Sequence, residues 1–216
     1  MRQAIIVSGG RIDDEFVRQV IETTAADCLI AADAGVDFFY RNRMRPDVIV
    51  GDFDSAHAEA RHYFEGSEGI RIERLDPVKD DTDTESALRL AIRTGAEQIT
   101  LLGATGSRID HVLGNIELLG IGLTEGVPVT MLDPCNRIRM VDQGIVIRRE
   151  EQFGTYVSLL PYTPQVKGLT LRGMKYPLTD HCLKGFCSLG ISNEIAEDEG
   201  VITFSEGILL VIESKD

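Results

Sequence analysis

Compact apolar runs alternate with helical stripes from Ala4 to Leu132, and this rhythm restricts the possible folds more than any other feature of the chain. Ala4–Val7 is the first run and ends in Ser8-Gly9-Gly10; Asp13 is placed to cap a helix that carries Phe16, Val17, Val20 and Ile21 on one face. Leu29–Ala32 reads as a second strand, and a short helix follows through Phe38, Phe39 and Tyr40. Val48–Val50 is the third strand, with a helix around Ala58–Phe64 and a strand at Ile70–Leu75 beyond it. Thr82 and Glu85 have the form of a capping box that opens a helix to Thr94, with Leu88, Ala91 and Ile92 as its apolar stripe. Gln98–Gly103 predicts a strand, Asp110–Leu119 a helix with Leu113 and Ile116 inward, and Pro128–Leu132 a last strand. Apolar strands in alternation with helices predict a parallel sheet covered on both faces, a Rossmann-like α/β unit.

Beyond Asn136 the pattern changes. Ile138–Val141, Ile145–Ile147, Tyr156–Leu160, Leu169–Leu171, Val201–Phe204 and Ile208–Ile212 are short β-rich pieces separated by glycine and proline. They predict a small antiparallel sandwich or barrel. Asp133-Pro134 marks the boundary, so the expected domains are 1–134 and 135–216.

The net charge of −13 argues against nucleic acid or an anionic membrane as partner, because both call for basic patches. A small phosphate ligand remains compatible, since a divalent cation bridges acid to acid. No apolar run reaches the ~20 residues of a membrane span, and the amino-terminal run reads as a strand, not a signal. Cys28, Cys135, Cys182 and Cys187 lack paired metal-ligand spacing, which suggests buried, reduced thiols in a cytoplasmic protein.

In open parallel sheets, ligands bind outside the carboxyl ends of the strands. At the end of the third strand, Pro46–Ser55 delivers Asp52 and Asp54 two residues apart, on one side of an extended chain. Converging carboxylates either hold a cation such as Mg²⁺ or merely cap the helix that follows. Other strand ends add Asp33, then Lys79 to Asp83, then Gly103-Ala-Thr-Gly106-Ser-Arg108-Ile-Asp110-His111. Glycines admit a phosphate close to the backbone, free N–H groups at a helix start attract it, and Arg108 offers a bidentate fork. The alternative for Arg108 is a surface arginine in a plain loop, and for His111 a local hydrogen-bonding residue. No Walker A or GxGxxG string is present.

The strings ADAG (32–35), RPDVIVGDFDS (45–55), DDTDTESAL (80–88), GATGSRIDH (103–111), GMKYPL (173–178) and SNE (192–194) occur in the order found in thiamine pyrophosphokinases. The ordered set spans both halves of the chain and resembles that family specifically. The resemblance implies an α/β domain that binds ATP and Mg²⁺ and a β-sandwich domain that binds thiamine and dimerises. It also implies a homodimer with its site between subunits, and transfer of the pyrophosphoryl group of ATP to thiamine with release of AMP. Residue by residue, it implies metal and phosphate roles for Asp33, Asp52, Asp54 and Asp83, with catalysis centred on Asp52, Asp54 and Asp83. Lys79, Arg108, Asp110 and His111 would lie near the ATP phosphates, Tyr176 against thiamine's pyrimidine, and Ser192 and Asn193 in hydrogen bonds to that ring. Ala34 departs from the family pattern, where a second glycine is common, and Lys79 occupies a position where glutamine or lysine occurs; neither removes an acid.

Two other readings use the same residues. A nucleotidyl- or glycosyltransferase would hold a nucleotide diphosphate with its DxD and release pyrophosphate or a nucleoside diphosphate. A nucleotide-sensing module would bind ATP without thiamine-dependent turnover.

Overall fold

The computed structural model describes residues 2–51, 56–75, 80–106 and 108–216. The chain divides into two compact units, Met1–Pro134 and Cys135–Asp216.

In the first unit, the strands are β1 (Gln3–Val7), β2 (Cys28–Ala32), β3 (Val48–Gly51), β4 (Arg71–Arg74), β5 (Gln98–Leu102) and β6 (Val129–Leu132). All their pairings are parallel, in the order β4-β3-β2-β1-β5-β6, so the sequence of strands reverses between β1 and β5. The connecting helices are α1 (Asp14–Thr24), α2 (Val36–Arg41), α3 (Ala58–Glu65), α4 (Asp83–Arg93) and α5 (Ile109–Glu125). Caps fix two of the helix starts. Asp13 accepts the Phe16 N–H at 3.0 Å to open α1, and Thr82 accepts the Glu85 N–H at 3.2 Å to open α4.

Side-chain alternation buries both faces of the sheet. Ile5, Val7, Ala31 and Ile49 share one core with Val17 and Ile21 of α1, Phe38 and Phe39 of α2 and Phe64 of α3. The opposite alternation places Ile6, Ile30 and Val50 at no more than 0% exposure, and α4 packs over β1, β2 and β3 with Leu88 and Ala91 buried. Each fully buried phenylalanine contributes roughly 1.5–3 kcal/mol relative to exposure.

Helix α5 departs from expectation. It runs to Glu125 and ends at Gly126 with φ 69°, and Leu113 is 58% exposed instead of inward. The buried residues are Leu118, Leu119 and Gly122, one face further along, while Ile116 is half-buried. The helix is apolar on nearly every side, so periodicity alone does not say which face is covered.

The second unit contains β7 (Asn136–Val141), β8 (Ile145–Arg148), β9 (Tyr156–Pro161), β10 (Gln165–Arg172), β11 (Leu178–Lys184), β12 (Glu199–Thr203) and β13 (Leu209–Ser214). The antiparallel orders are β7-β13-β9 and β11-β10-β12-β8. Inward rows from both sets, among them Val157, Leu159, Leu169, Leu171, Ile202, Leu209 and Val211, pack into one core. Strand β11 was not expected. Its sequence LTDHCLK is polar and buries only Leu183, as befits an edge strand.

Glu213 on β13 lies on the same side of its strand as Leu209 and Val211 and is fully buried. It accepts hydrogen bonds from Arg137 Nε at 2.8 Å, Arg137 Nη2 at 2.5 Å, Arg139 Nη2 at 2.7 Å and the Phe153 N–H at 3.1 Å. A buried carboxylate persists where its charge and lone pairs are met in this way.

All four cysteines are free thiols, but the expected burial is corrected: Cys135 and Cys187 are exposed and Cys28 and Cys182 half-buried. No helix among the described residues is long and apolar enough to cross a membrane.

His57 precedes α3 and is anchored by the buried carboxylate of Asp37 on α2. Its backbone N–H donates to Asp37 Oδ1 at 3.1 Å, and its Nδ1 stands 2.6 Å from Oδ2. The hydrogen bond to Asp37, followed by the carboxylate's charge, holds the imidazole above its ordinary value. The stabilisation is therefore complete below the unfolded pKa of about 6.5 and is lost as pH rises through the higher folded value. In a proton NMR titration the His57 ring is expected to titrate above about 6.5, and Asp37→Asn to return it to that value. A midpoint unchanged by Asp37→Asn would contradict the pairing in solution.

Candidate active site

The strand order reverses between β1 and β5, and the carboxyl end of each delivers a glycine-containing loop. The two loops are stitched together by backbone hydrogen bonds: Ser8 N–H to Leu102 O at 2.8 Å, Gly10 N–H to Gly103 O at 2.7 Å and Arg11 N–H to Thr105 O at 2.6 Å. So close an approach needs glycine at residue 10, where a Cβ would stand 2.5 Å from the Gly103 carbonyl oxygen. Two side chains extend the lacing. Thr84 Oγ1 donates to Ser8 Oγ at 3.0 Å, and Asn115 Nδ2 donates to Ala104 O at 2.8 Å. The first ties the start of α4 to the end of β1, and the second ties α5 to the β5 loop.

These loops wall a cavity of about 800 Å³, within the size range of small-ligand sites. Asp33 and Asp83 line it, together with Arg11, Arg108 and His111. Asp33 adopts φ 51°, a left-handed conformation that aspartate tolerates better than most residues and that recurs at functional sites. Gly51, at the end of β3, lies beside both acids: a Cβ there would be 3.3 Å from Asp83 Oδ2 and 3.4 Å from Asp33 Cα. Asp33 and Asp83 therefore border the point from which the chain continues into residues 52–55. Asp52, Asp54 and Lys79 lie outside the described residues.

Arg108 and Asp110 form a pair at the start of α5. Arg108 Nη2 is 2.6 Å from Asp110 Oδ2 and its Nε is 3.2 Å from Oδ1, and the His111 N–H donates to Oδ1 at 3.0 Å. The Arg108 hydrogen bond is the main cause that pulls Asp110 down to about 2. The pair holds the Arg108 guanidinium at the start of α5, with the Asp110 carboxylate favoured in its ionised form.

In the second unit, Tyr176, Ser192 and Asn193 come together although the first two are 16 positions apart in sequence. Asn193 is buried and its amide is largely committed: Oδ1 accepts the N–H groups of Tyr176 at 3.0 Å and Glu194 at 2.9 Å, and Nδ2 donates to Tyr176 O at 2.8 Å. This clasp fixes the backbone beneath the Tyr176 ring, which is 59% exposed, with Lys175 Nζ 5.6 Å from its centroid. Ser192 has φ 56°, and its N–H donates to Ser158 Oγ at 3.0 Å.

Residues 20–131 match the family model for the thiamin pyrophosphokinase catalytic domain, and residues 143–209 match that for the thiamin pyrophosphokinase vitamin B1 binding domain. The chain belongs to the thiamin pyrophosphokinase family. Thiamine pyrophosphokinase from Bacillus subtilis is 35% identical over 77% of this chain and 77% of its own length. The crystal structure of thiamine pyrophosphokinase from Bacillus subtilis superposes with a TM-score of 0.89 at 30% identity, covering all of both chains. That of thiamin pyrophosphokinase from Geobacillus thermodenitrificans gives 0.84 at 32% identity, over 100% of this chain and 98% of the other. Like these relatives, this member of the thiamin pyrophosphokinase family combines a mostly parallel sheet with a separate antiparallel one.

Reading by residue type missed Arg11, Thr84 and Asn115. The position of Arg11 directly after Gly9-Gly10, at a strand end, was the signal available for it. The Ser8–Thr84 contact joins residues 76 apart and had none.

Proposed function

We propose that the protein is a thiamine pyrophosphokinase that transfers the pyrophosphoryl group of ATP to the hydroxyl of thiamine, giving thiamine diphosphate and AMP. The observation that carries this reading is the match of both halves of the chain to the two domains of one enzyme family, with the cavity at the strand ends of the catalytic half. The first unit is taken as a Rossmann-like, ATP-binding catalytic domain, the second as a β-sandwich that binds thiamine and dimerises. Tyr176 would stack on the pyrimidine and Ser192 and Asn193 would hydrogen-bond it; Asn193 keeps one amide proton for that purpose.

Asp33 and Asp83 are hard oxygen donors lining a cavity of small-ligand size, a donor type that suits Mg²⁺. They would hold the ion with Asp52 and Asp54, and the ion, when bound, neutralises phosphate charge. The chain's own groups then position the reactants. The ledge from residue 8 to 11 and from 103 to 106 supports the phosphates, Arg108 is held by Asp110 to grip them, and His111 lines the same cavity; Lys79, outside the described residues, is proposed to contact the phosphates as well. The thiamine hydroxyl oxygen bonds to the β-phosphorus as the bond from that phosphorus to the α-bridging oxygen breaks. The electron pair leaves on AMP and the hydroxyl proton passes to solvent. Placement and electrostatic stabilisation account for most of the acceleration in such a transfer.

The free thiols agree with a reducing cytoplasm, and a homodimer is the proposed assembly. Incubation with ATP, Mg²⁺ and thiamine, followed by separation of nucleotides, tests the reaction. AMP formed in step with thiamine diphosphate is the expected result. ADP with thiamine monophosphate would overturn the pyrophosphoryl assignment, and ATP binding without turnover would favour a sensing role.

A further inference from the structure

We propose that Arg11 is a second phosphate-binding cation of the cavity and contacts the polyphosphate chain of the nucleotide beside the Gly103–Gly106 loop; the inference rests on the function proposed above. Arg11 lines the same cavity as Asp33, Asp83 and Arg108. Its backbone is fixed there by the N–H bond to Thr105 O at 2.6 Å, and a Cβ on Gly106 would lie 3.3 Å from its nitrogen. The residue is thus built into the phosphate ledge.

The state of its guanidinium distinguishes Arg11 from Arg108, which lines the same cavity. The chain has 35 acidic against 22 basic residues, and several arginines of the first unit are paired with carboxylates. Arg41 pairs with Asp14, Arg61 and Arg74 with Glu65, Arg71 with Glu73 and Arg89 with Glu85. Arg108, the other arginine of the cavity, spends two of its nitrogens on Asp110. The Arg11 guanidinium has no carboxylate partner among the described residues, and the side chain is exposed. Among the described residues it therefore brings an unpaired positive charge and a planar donor fork to a cavity that Asp33 and Asp83 also line. A polyphosphate, with several charges and oxygens spaced for bidentate contact, is the ligand class that this donor fits.

Equilibrium binding of ATP with Mg²⁺, and of inorganic tripolyphosphate with Mg²⁺, to the full chain and to Arg11→Ala and Arg11→Lys tests the proposal. Arg11→Ala is expected to weaken both ligands by about tenfold or more, with an unchanged melting temperature because the side chain is exposed. Arg11→Lys should recover part of the loss, since it restores charge without the fork. The KM for ATP should rise with the dissociation constant, while that for thiamine stays constant. Equal affinity in all three proteins would overturn the proposal, as would a loss confined to ATP with tripolyphosphate unaffected, which would assign Arg11 to the base or ribose. Failure of the unaltered protein to bind ATP would instead overturn the nucleotide-binding reading itself, and this inference with it.

Discussion

Replacement of Asp83 by asparagine is expected to lower kcat on the order of a hundredfold or more, because it removes a charge from the group proposed to hold Mg²⁺ on the phosphates. The fold should survive the change. Asp83 opens α4, where a negative charge favours the helix dipole by no more than about 1 kcal/mol, and the Thr82 cap remains. Steady-state turnover over a range of Mg²⁺ concentrations, alongside a melting curve, checks both parts. The Mg²⁺ needed for half-maximal activity should rise as well. Near-normal turnover at saturating Mg²⁺ would remove Asp83 from the metal set and leave the work to Asp33 and to the acids of residues 52–55.

The largest expected effect on stability lies in the other unit. Glu213→Ala should destabilise it by about 3–5 kcal/mol, since it strands two guanidiniums in a buried site. Arg137 and Arg139 are only 26% and 29% exposed, and burial already pushes the Arg139 guanidinium below its ordinary value while Glu213 pulls it back up. The thermal midpoint of the second unit should fall by roughly 10 °C or more. The triple replacement of Glu213, Arg137 and Arg139 by apolar residues of similar volume should recover much of that loss, because no charge then stays buried alone. A single Glu213→Ala variant that melts within about two degrees of the parent would show that water reaches the cluster and screens it.

The α/β half was legible because its strands, the polar edge strand β4 apart, are largely buried and read as unbroken apolar runs, with caps at Asp13 and Thr82 where the side chains suggested them. Legibility failed where burial is one-sided or absent. Strand β11 is a polar edge, and α5 is apolar on too many sides for its covered face to be read. The candidate site divides in the same way. Acids and glycines at strand ends announce themselves by residue type and spacing, and Asp33, Asp83, Arg108 and His111 do gather at one cavity. The parts that depend on distant partners do not: the Ser8–Thr84 hydroxyl pair, the Asn115 tie to Ala104, and the burial of Glu213 inside a strand that otherwise reads as plain core. Tyr176, Ser192 and Asn193 were reachable only through the family resemblance, since nothing in their types reveals that Asn193 clasps the tyrosine's backbone.

The lacing of residues 8–11 to residues 103–106 has a consequence for how the protein matures. The ledge has no local precursor: neither loop holds its shape until β1 and β5, nearly a hundred positions apart, have zipped together. Closing so long a span is slow, because chain entropy is surrendered before the contacts form. The ledge thus forms only with that long-range pairing, and any ligand that binds only the finished ledge draws the folding equilibrium towards it.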